Sequence, residues 1–158
     1  IFIFGGRFPF YLDNFDNQGR ENSFKSEVLE ISKKHKIILV YPIPEMSWSV
    51  PSKLNTLFKK LPKNVNKREI KVSEYISSPF QNYKNRAKSS YDLLDSIKGE
   101  NIYRVYPHKL FCDTIIKNMC ATHDDKNIFY ADNNHPSFKG AEMINVLIMK
   151  EIEKIELK

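Results

Sequence analysis

The chain has 158 residues, 41% hydrophobic and 28% charged, which is the composition and size of one ordinary globular domain. No segment reaches the roughly 18 apolar residues of a membrane helix, and no signal peptide is recognisable. The net charge of +6 comes from 25 basic and 19 acidic residues, with lysines scattered over predicted helix faces and loops. Basic residues interleaved with exposed aromatics, or a recognisable nucleic-acid-binding module, are lacking, so we expect no nucleic-acid partner.

The first half of the chain alternates between strands and helices. Residues 1–4 (IFIF) are a buried strand, and apolar residues at helical spacing predict a helix over 21–34. A second buried strand, 37–42 (IILVYP), is stopped by prolines, and a short helix is predicted over 53–61. The chain starts inside a core strand and has no initiator Met. We therefore expect it to be cut from a longer protein and to be incomplete at its amino-terminus.

The second half continues this alternation. The polar, basic residues 61–75 predict a surface loop, and a longer helix is predicted over 80–97. A short strand follows at 102–106 (IYRVY). Residues 127–132 are either a last short strand or an extended segment, and the final helix covers 137–155. Buried strands separated by helices imply an α/β fold of three layers, a parallel sheet with helices on both faces.

Three loops follow strands in this arrangement and hold the candidate functional groups. They are the Gly5-Gly6-Arg7 turn, the loop 43–51 and the turn 132–137. Functional residues of such folds collect at the carboxyl ends of the strands. We therefore expect the three loops to line one crevice.

The turn 132–137 (DNNHPS) places an acid three residues before a histidine. At this spacing the Asp132 carboxylate can reach back to Nδ1 of His135, fix its tautomer and stabilise the imidazolium that forms when Nε2 takes a proton from a hydroxyl. Taken alone, the tetrapeptide is a weak motif that favours an Asx turn beside a surface histidine. Its place, after an apolar run and directly before the last amphipathic helix, favours the catalytic interpretation.

Four stretches together resemble a known family. The turn YADNNHPSFKGA is similar to the last block of SGNH (GDSL-type) hydrolases, Asp-x-x-His-Pro/Leu-Ser/Asn-x-x-Gly. The stretches IFIFGGRFPFYLD, YPIPEMSWSVP and YRVYPHKLFCD resemble three segments of the SGNH domains fused to membrane acyltransferase-3 proteins. Pro136 stands where leucine is common in that branch. The resemblance implies that residues 1–158 are the carboxyl-terminal portion of a single flavodoxin-like SGNH domain.

The resemblance also implies a Ser-His-Asp triad with His135 as base and Asp132 as its orienter. The family's nucleophile is the serine of a Gly-Asp-Ser turn, and no Gly-Asp-Ser occurs here. We expect the nucleophile upstream of Ile1, and little activity from these residues alone. Ser137 is better explained as the N-cap of the last helix. The remaining candidates lie on predicted helices or beside Trp48: Ser23, Ser26, Ser89, Ser90, Ser47 and Ser49.

Two further pairs are candidates for contacts with substrate. Gly6 and Arg7 correspond to an oxyanion or substrate contact, and the two glycines before Arg7 are expected to permit close backbone approach. The alternative for Arg7 is a surface pairing with a carboxylate such as Asp13. Glu45 and Trp48 are expected either to line the cleft or to have a structural role.

The two cysteines, Cys112 and Cys120, lie eight residues apart. Their spacing leaves open a disulfide or two separate thiols, and with His123 they form only an incomplete zinc set. The resemblance implies a periplasmic disulfide.

The function implied by the resemblance is O-acetylation of a bacterial cell-surface glycan, such as lipopolysaccharide or O-antigen. It implies a glycan acceptor, an acyl donor and a membrane acyltransferase domain upstream in the same protein, with no cofactor or metal. The location is then the periplasmic face of the bacterial inner membrane. Two alternatives stay open: a carbohydrate esterase or deacetylase of the same fold, and a binding module that has lost its chemistry.

Overall fold

The computed structural model describes residues 1–13, 18–60 and 76–157, without the side chains of Phe10, Asp13 and Gln18. The loop predicted over 61–75 lies outside these residues. In chain order the elements are β1 (Phe2–Gly5), α1 (Phe8–Asp13), α2 (Gln18–Ser32), β2 (Ile37–Val40), α3 (Val50–Lys60), β3 (Ser78–Pro79), α4 (Phe80–Arg86), α5 (Lys88–Ser96), β4 (Ile102–Val105), α6 (His108–Phe111), β5 (Met119–Cys120) and α7 (Phe138–Glu156).

The chain divides into two compact units. One, here called the sheet unit, comprises Ile1–Pro42, Lys84–Pro107 and Leu147–Lys158. The other, here called the turn unit, comprises Ile43–Tyr83 and His108–Val146. None of the described helices is long and apolar enough to cross a membrane.

The sheet unit is built on a parallel sheet with the strand order β1-β2-β4. Successive side chains of a strand point to opposite faces, so β2 contributes to two separate cores. Ile37 and Leu39 pack with apolar residues of α2 and α5, whereas Ile38 packs with Val105 and with Ile155 of α7. Helices therefore cover both faces of a parallel sheet, and the predicted α/β fold is confirmed.

Strand β1 lies at one edge of this sheet. Its side chains Phe2 and Ile3 are 46% and 48% exposed, although their partners on β2 are fully buried. Parallel strands are normally covered on both faces, and an uncovered apolar edge is a site for pairing with another strand. Sequence pattern correctly predicted a strand here, but the prediction that it is buried is wrong, because β1 lies at the edge of the described sheet.

The helix predicted over 80–97 consists of two helices. It is interrupted at Ala87, whose φ of −86° and ψ of −1° depart from helical values. Tyr83 and Ala87 are both buried, so the apolar spacing continues through the interruption and gives no signal of it. Residues 127–132 form the extended segment rather than a strand, with isolated bridges at Ile128 and Tyr130.

The described part of the turn unit includes α3, α6 and the start of α7, and specific contacts join its other segments. The two-residue strands β3 and β5 pair antiparallel, and the Thr122 hydroxyl donates to the backbone carbonyl of Ile76 at 2.6 Å. Phe111 packs its ring against those of Phe129 and Tyr130, with ring centroids 5.5 and 5.9 Å apart. These buried aromatics anchor the segment that leads into the turn at Asp132.

Candidate active site

Asp132 and His135 are in direct contact in the turn unit. Oδ2 of Asp132 accepts a hydrogen bond from Nδ1 of His135 at 2.6 Å. Oδ1 of the same carboxylate accepts the backbone N–H groups of Asn134 and His135, both at 2.8 Å. The Asx turn and the carboxylate–imidazole pair are thus not alternatives, because one oxygen makes the turn and the other orients the ring.

Backbone hydrogen bonds close the turn around this pair. Ala131 donates to the carbonyl of His135 at 2.9 Å, and Tyr130 forms a bridge with Pro136. Ser137 donates its backbone N–H to the carbonyl of Phe129 at 2.9 Å. The imidazole therefore projects from a closed loop whose two ends are joined, which suits a group that must keep a fixed orientation.

The same contacts hold the pKa of the Asp132 carboxyl far below its ordinary value. The causes, in order, are the N–H of Asn134, the N–H of His135 and the imidazole of His135. A carboxylate that accepts several hydrogen bonds stays ionised. Asp132 is therefore ionised at neutral pH, and it is equipped to stabilise an imidazolium.

This depressed pKa predicts a specific loss of stability in acid. The contribution of Asp132 is fully present above the unfolded carboxyl pKa of about 3.9 and is lost as the pH falls below it towards the folded pKa. Asp132→Asn keeps an oxygen acceptor but carries no charge. Its free energy of unfolding is expected to differ most from that of the native chain near neutral pH and to approach the native value in acid. Urea unfolding from pH 7 to pH 2.5 measures this. A difference that stays constant over this range contradicts the prediction.

Ser137 caps the last helix, as its position predicts. Its hydroxyl donates to the carbonyl of Ile128 at 2.5 Å and accepts the backbone N–H of Gly140 at 3.1 Å. Gly140 itself has no room for a side chain, because an added Cβ would overlap the carbonyl oxygen of Phe129. The glycine at this position of the turn therefore allows the helix to start directly against the segment before Asp132.

The loop that contains Glu45 and Trp48 is attached to the same turn. Met46 donates its backbone N–H to the carbonyl of Asn133 at 2.8 Å, and Val50 donates to the carbonyl of Asp132 at 3.0 Å. The structure thus joins the loop of Glu45 and Trp48 to the turn that carries Asp132 and His135. Sequence reasoning placed both at strand ends, but the two hydrogen bonds that join them carry no sequence signal.

Glu45 and Trp48 are both partly buried within this loop. The Glu45 charge and burial together raise the pKa of the Tyr130 hydroxyl, with burial as the larger cause. The ammonium group of Lys53 lies 3.9 Å from the centre of the Trp48 ring, a cation–π arrangement. Sequence reasoning gave no role to Tyr130, although it opens the stretch YADNNHPSFKGA, or to Lys53, which lies outside the four resembling stretches.

Gly6 and Arg7 lie in the sheet unit, immediately after β1. At Gly5 an added Cβ would lie 3.2 Å from Cβ of Val40, so the strands approach closely there. At Gly6 an added Cβ would meet no described atom within 4 Å. Arg7 is partly buried and its carbonyl accepts the N–H of Tyr11 at 3.4 Å. The Asp13 side chain, its alternative partner, lies outside the described part of the chain.

A family model described as "SGNH domain (fused to AT3 domains)" matches residues 1–150. The chain belongs to this family. No curated protein and no solved structure matches it. Membership of the SGNH family indicates an enzyme of the acyl-transfer or hydrolase kind. It also indicates an associated acyltransferase-3 domain in the same protein, and hence a part of a membrane protein.

Cys112 and Cys120 of the SGNH domain form a disulfide. Their sulfur atoms are therefore not available as zinc ligands. His123 is buried, and its Nδ1 lies 3.2 Å from the Thr122 hydroxyl, whose proton goes to Ile76. Nδ1 must then carry the proton, and burial lowers the pKa of this imidazole. These contacts indicate a neutral core histidine rather than a metal ligand.

Removal of the disulfide is expected to lower the stability of the turn unit. Replacing Cys112 and Cys120 by alanine frees a loop of about nine residues in the unfolded chain, which costs about 2–3 kcal/mol. Chemical unfolding of the double variant against the oxidised protein measures this cost. Equal unfolding midpoints for the double variant and the oxidised protein contradict the prediction, and the reduced native protein should behave like the double variant.

Proposed function

We propose that this SGNH domain transfers an acyl group to a hydroxyl of a bacterial cell-surface glycan through a Ser-His-Asp triad. The observation that carries the proposal is the state of the His135 imidazole. Asp132 holds its Nδ1, while the side chain is 71% exposed and its Nε2 makes no hydrogen bond within the described residues. An oriented imidazole with an open Nε2 is a general base that awaits a hydroxyl.

The hydroxyl is proposed to come from a serine in sequence that precedes Ile1. The Ser137 hydroxyl is engaged on both sides by the helix cap. The other candidate serines of α2 and α5 lie on helices that pack in one apolar core: Ser23, Ser26, Ser89 and Ser90. The exposed apolar edge of β1 supports this proposal, since a preceding strand that pairs there would cover it.

The proposed reaction has two halves that use the same base. In the first, Nε2 of His135 takes the serine proton as Oγ attacks the donor carbonyl, and the donor's leaving group departs with that proton. In the second, Nε2 takes the proton of a glycan hydroxyl as its oxygen attacks the acyl-serine, and the proton returns to Oγ. The products are an O-acylated glycan and the enzyme with its serine hydroxyl restored. Asp132 stays ionised and stabilises the imidazolium in both halves.

Gly6 and Arg7 are proposed to contact the oxyanion or a substrate oxygen. A guanidinium after an open turn can donate two parallel hydrogen bonds to oxygen, and the turn follows the carboxyl end of β1. The acyl group is proposed to be acetyl, delivered by the acyltransferase-3 domain, with the SGNH domain at the periplasmic face of the inner membrane. The oxidised Cys112–Cys120 pair supports this location, since disulfides persist in the periplasm.

The test uses the full-length protein in membranes and measures both products that can receive the acetyl group, the acetylated glycan and free acetate. The acceptor is the host's surface polysaccharide after mild alkaline removal of its O-acetyl groups. The proposal predicts acetyl groups on the glycan, with little free acetate, and loss of both on His135→Ala. Free acetate without glycan acetylation would show an esterase instead. If a correctly folded protein forms neither product, the binding-module alternative remains.

A further inference from the structure

One large aromatic side chain, three residues from the candidate base in sequence, is fully exposed within the described part of the chain. Phe138, the first residue of α7, is 100% exposed and lies three residues after His135. Both residues belong to the turn unit. Single apolar residues on a surface are ordinary, but complete exposure of a phenylalanine beside an oriented imidazole is a combination that the fold does not require.

The turn holds the backbone of Phe138 firmly. Ser137, directly before it, is fixed by its backbone N–H to Phe129 and by its hydroxyl to the carbonyl of Ile128. Gly140, two residues after it, packs against Phe129 with no space for a side chain. Three peptide units separate His135 and Phe138, so their Cα atoms are at most about 11 Å apart.

We propose that Phe138 is the platform on which the ring of the acceptor sugar stacks. This inference rests on the proposed function and adds a specificity-determining residue to it. The C–H face of a pyranose ring is apolar and covers an aromatic ring, while its hydroxyls stay at the rim. A sugar seated on Phe138 then presents a hydroxyl towards the open Nε2 of His135.

A second exposed apolar residue belongs to the segment to which Ser137 is hydrogen-bonded. Ile128 is 37% exposed, and its carbonyl accepts the Ser137 hydroxyl directly before Phe138. The imidazole is largely exposed too, so the site is shallow in the part of the chain that the structure describes. A shallow site needs an exposed contact to orient a polymeric substrate, and a rigid aromatic ring provides it at low entropic cost.

The experiment uses the full-length protein and the de-O-acetylated surface polysaccharide of its host. Phe138→Ala is expected to raise KM for the glycan about tenfold, with the rate of acyl-enzyme formation unchanged. Phe138→Tyr keeps the ring and is expected to restore KM to within about twofold. Met149→Ala, at an exposed apolar position on the same helix, is the matched control and should leave KM unchanged.

An unchanged KM in Phe138→Ala would overturn the proposal. Slower acyl-enzyme formation or a lower unfolding midpoint with normal KM would also overturn it, since the side chain would then serve another contact in the protein. Saturation-transfer NMR of the glycan with His135→Ala protein separates this inference from the proposed function. Binding that depends on Phe138 supports the platform even without catalysis, whereas binding that is equal with and without Phe138 rejects it.

Discussion

Replacement of His135 by alanine is expected to slow acyl transfer by a factor on the order of 10⁴ to 10⁶ in the full-length protein. The imidazole is the base in both halves of the proposed reaction, and its loss removes the proton acceptor from each. Asp132 holds this imidazole by a hydrogen bond of 2.6 Å, and alanine has no group that can take the proton. The measurement is the initial rate of glycan acetylation at saturating donor.

The fold should tolerate this change. His135 is 71% exposed, and the turn's bonds to Oδ1 of Asp132 come from backbone N–H groups that alanine retains. The circular dichroism spectrum and unfolding midpoint of His135→Ala are therefore expected to match those of the native protein. A rate within tenfold of native, with an unchanged spectrum, would contradict the assignment of His135 as the base.

Gly140→Ala is expected to destabilise the turn unit by about 3 kcal/mol or more. An added Cβ would overlap the carbonyl oxygen of Phe129 and would lie 3.3 Å from Cβ of Pro136. Backbone on one side and a proline ring on the other cannot move as a flexible side chain does, so the helix start must shift. That shift would also displace His135, and we expect acyl transfer to fall with stability. Urea unfolding measures the first effect.

Gly19→Ala is the matched control for this prediction. Gly19 lies near the start of α2, where an added Cβ would meet no described atom within 4 Å. Alanine has the higher helix propensity, so this variant is expected to be as stable as the native chain or up to about 1 kcal/mol more stable. Equal stabilities of the two variants would show that the contact between Gly140 and Phe129 is unimportant.

The parts of the fold that sequence pattern predicts are those set by local periodicity. Strand β2 and helix α7 have apolar residues at the spacing that their two cores require, and both were predicted close to their true bounds. The interruption at Ala87 was not predictable, because it changes one ψ angle and leaves the apolar spacing intact. The two-residue strands β3 and β5 depend on partners more than 35 residues apart in sequence.

The candidate site also has local features that the sequence predicts and non-local features that it does not. Asp132 and His135 are three residues apart, so their contact follows from local turn geometry and was predictable. The attachment of the Glu45 loop is not local, because it rests on backbone hydrogen bonds from Met46 and Val50 to a turn far along the chain. The exposure of Phe138 was equally hidden, since a phenylalanine at a helix start is buried in most sequence contexts.

The measurement that tests the central claim most directly is the intact mass after treatment with a fluorophosphonate probe. Two proteins are compared: these 158 residues and a version extended upstream to include the family's serine turn. We predict one adduct on the extended protein only, absent in its His135→Ala variant. An adduct on the 158-residue protein would contradict the claim that the nucleophilic serine lies upstream of Ile1. Ser47→Ala and Ser49→Ala would then be the first variants to make, because the loop of these serines is bonded to the turn of His135.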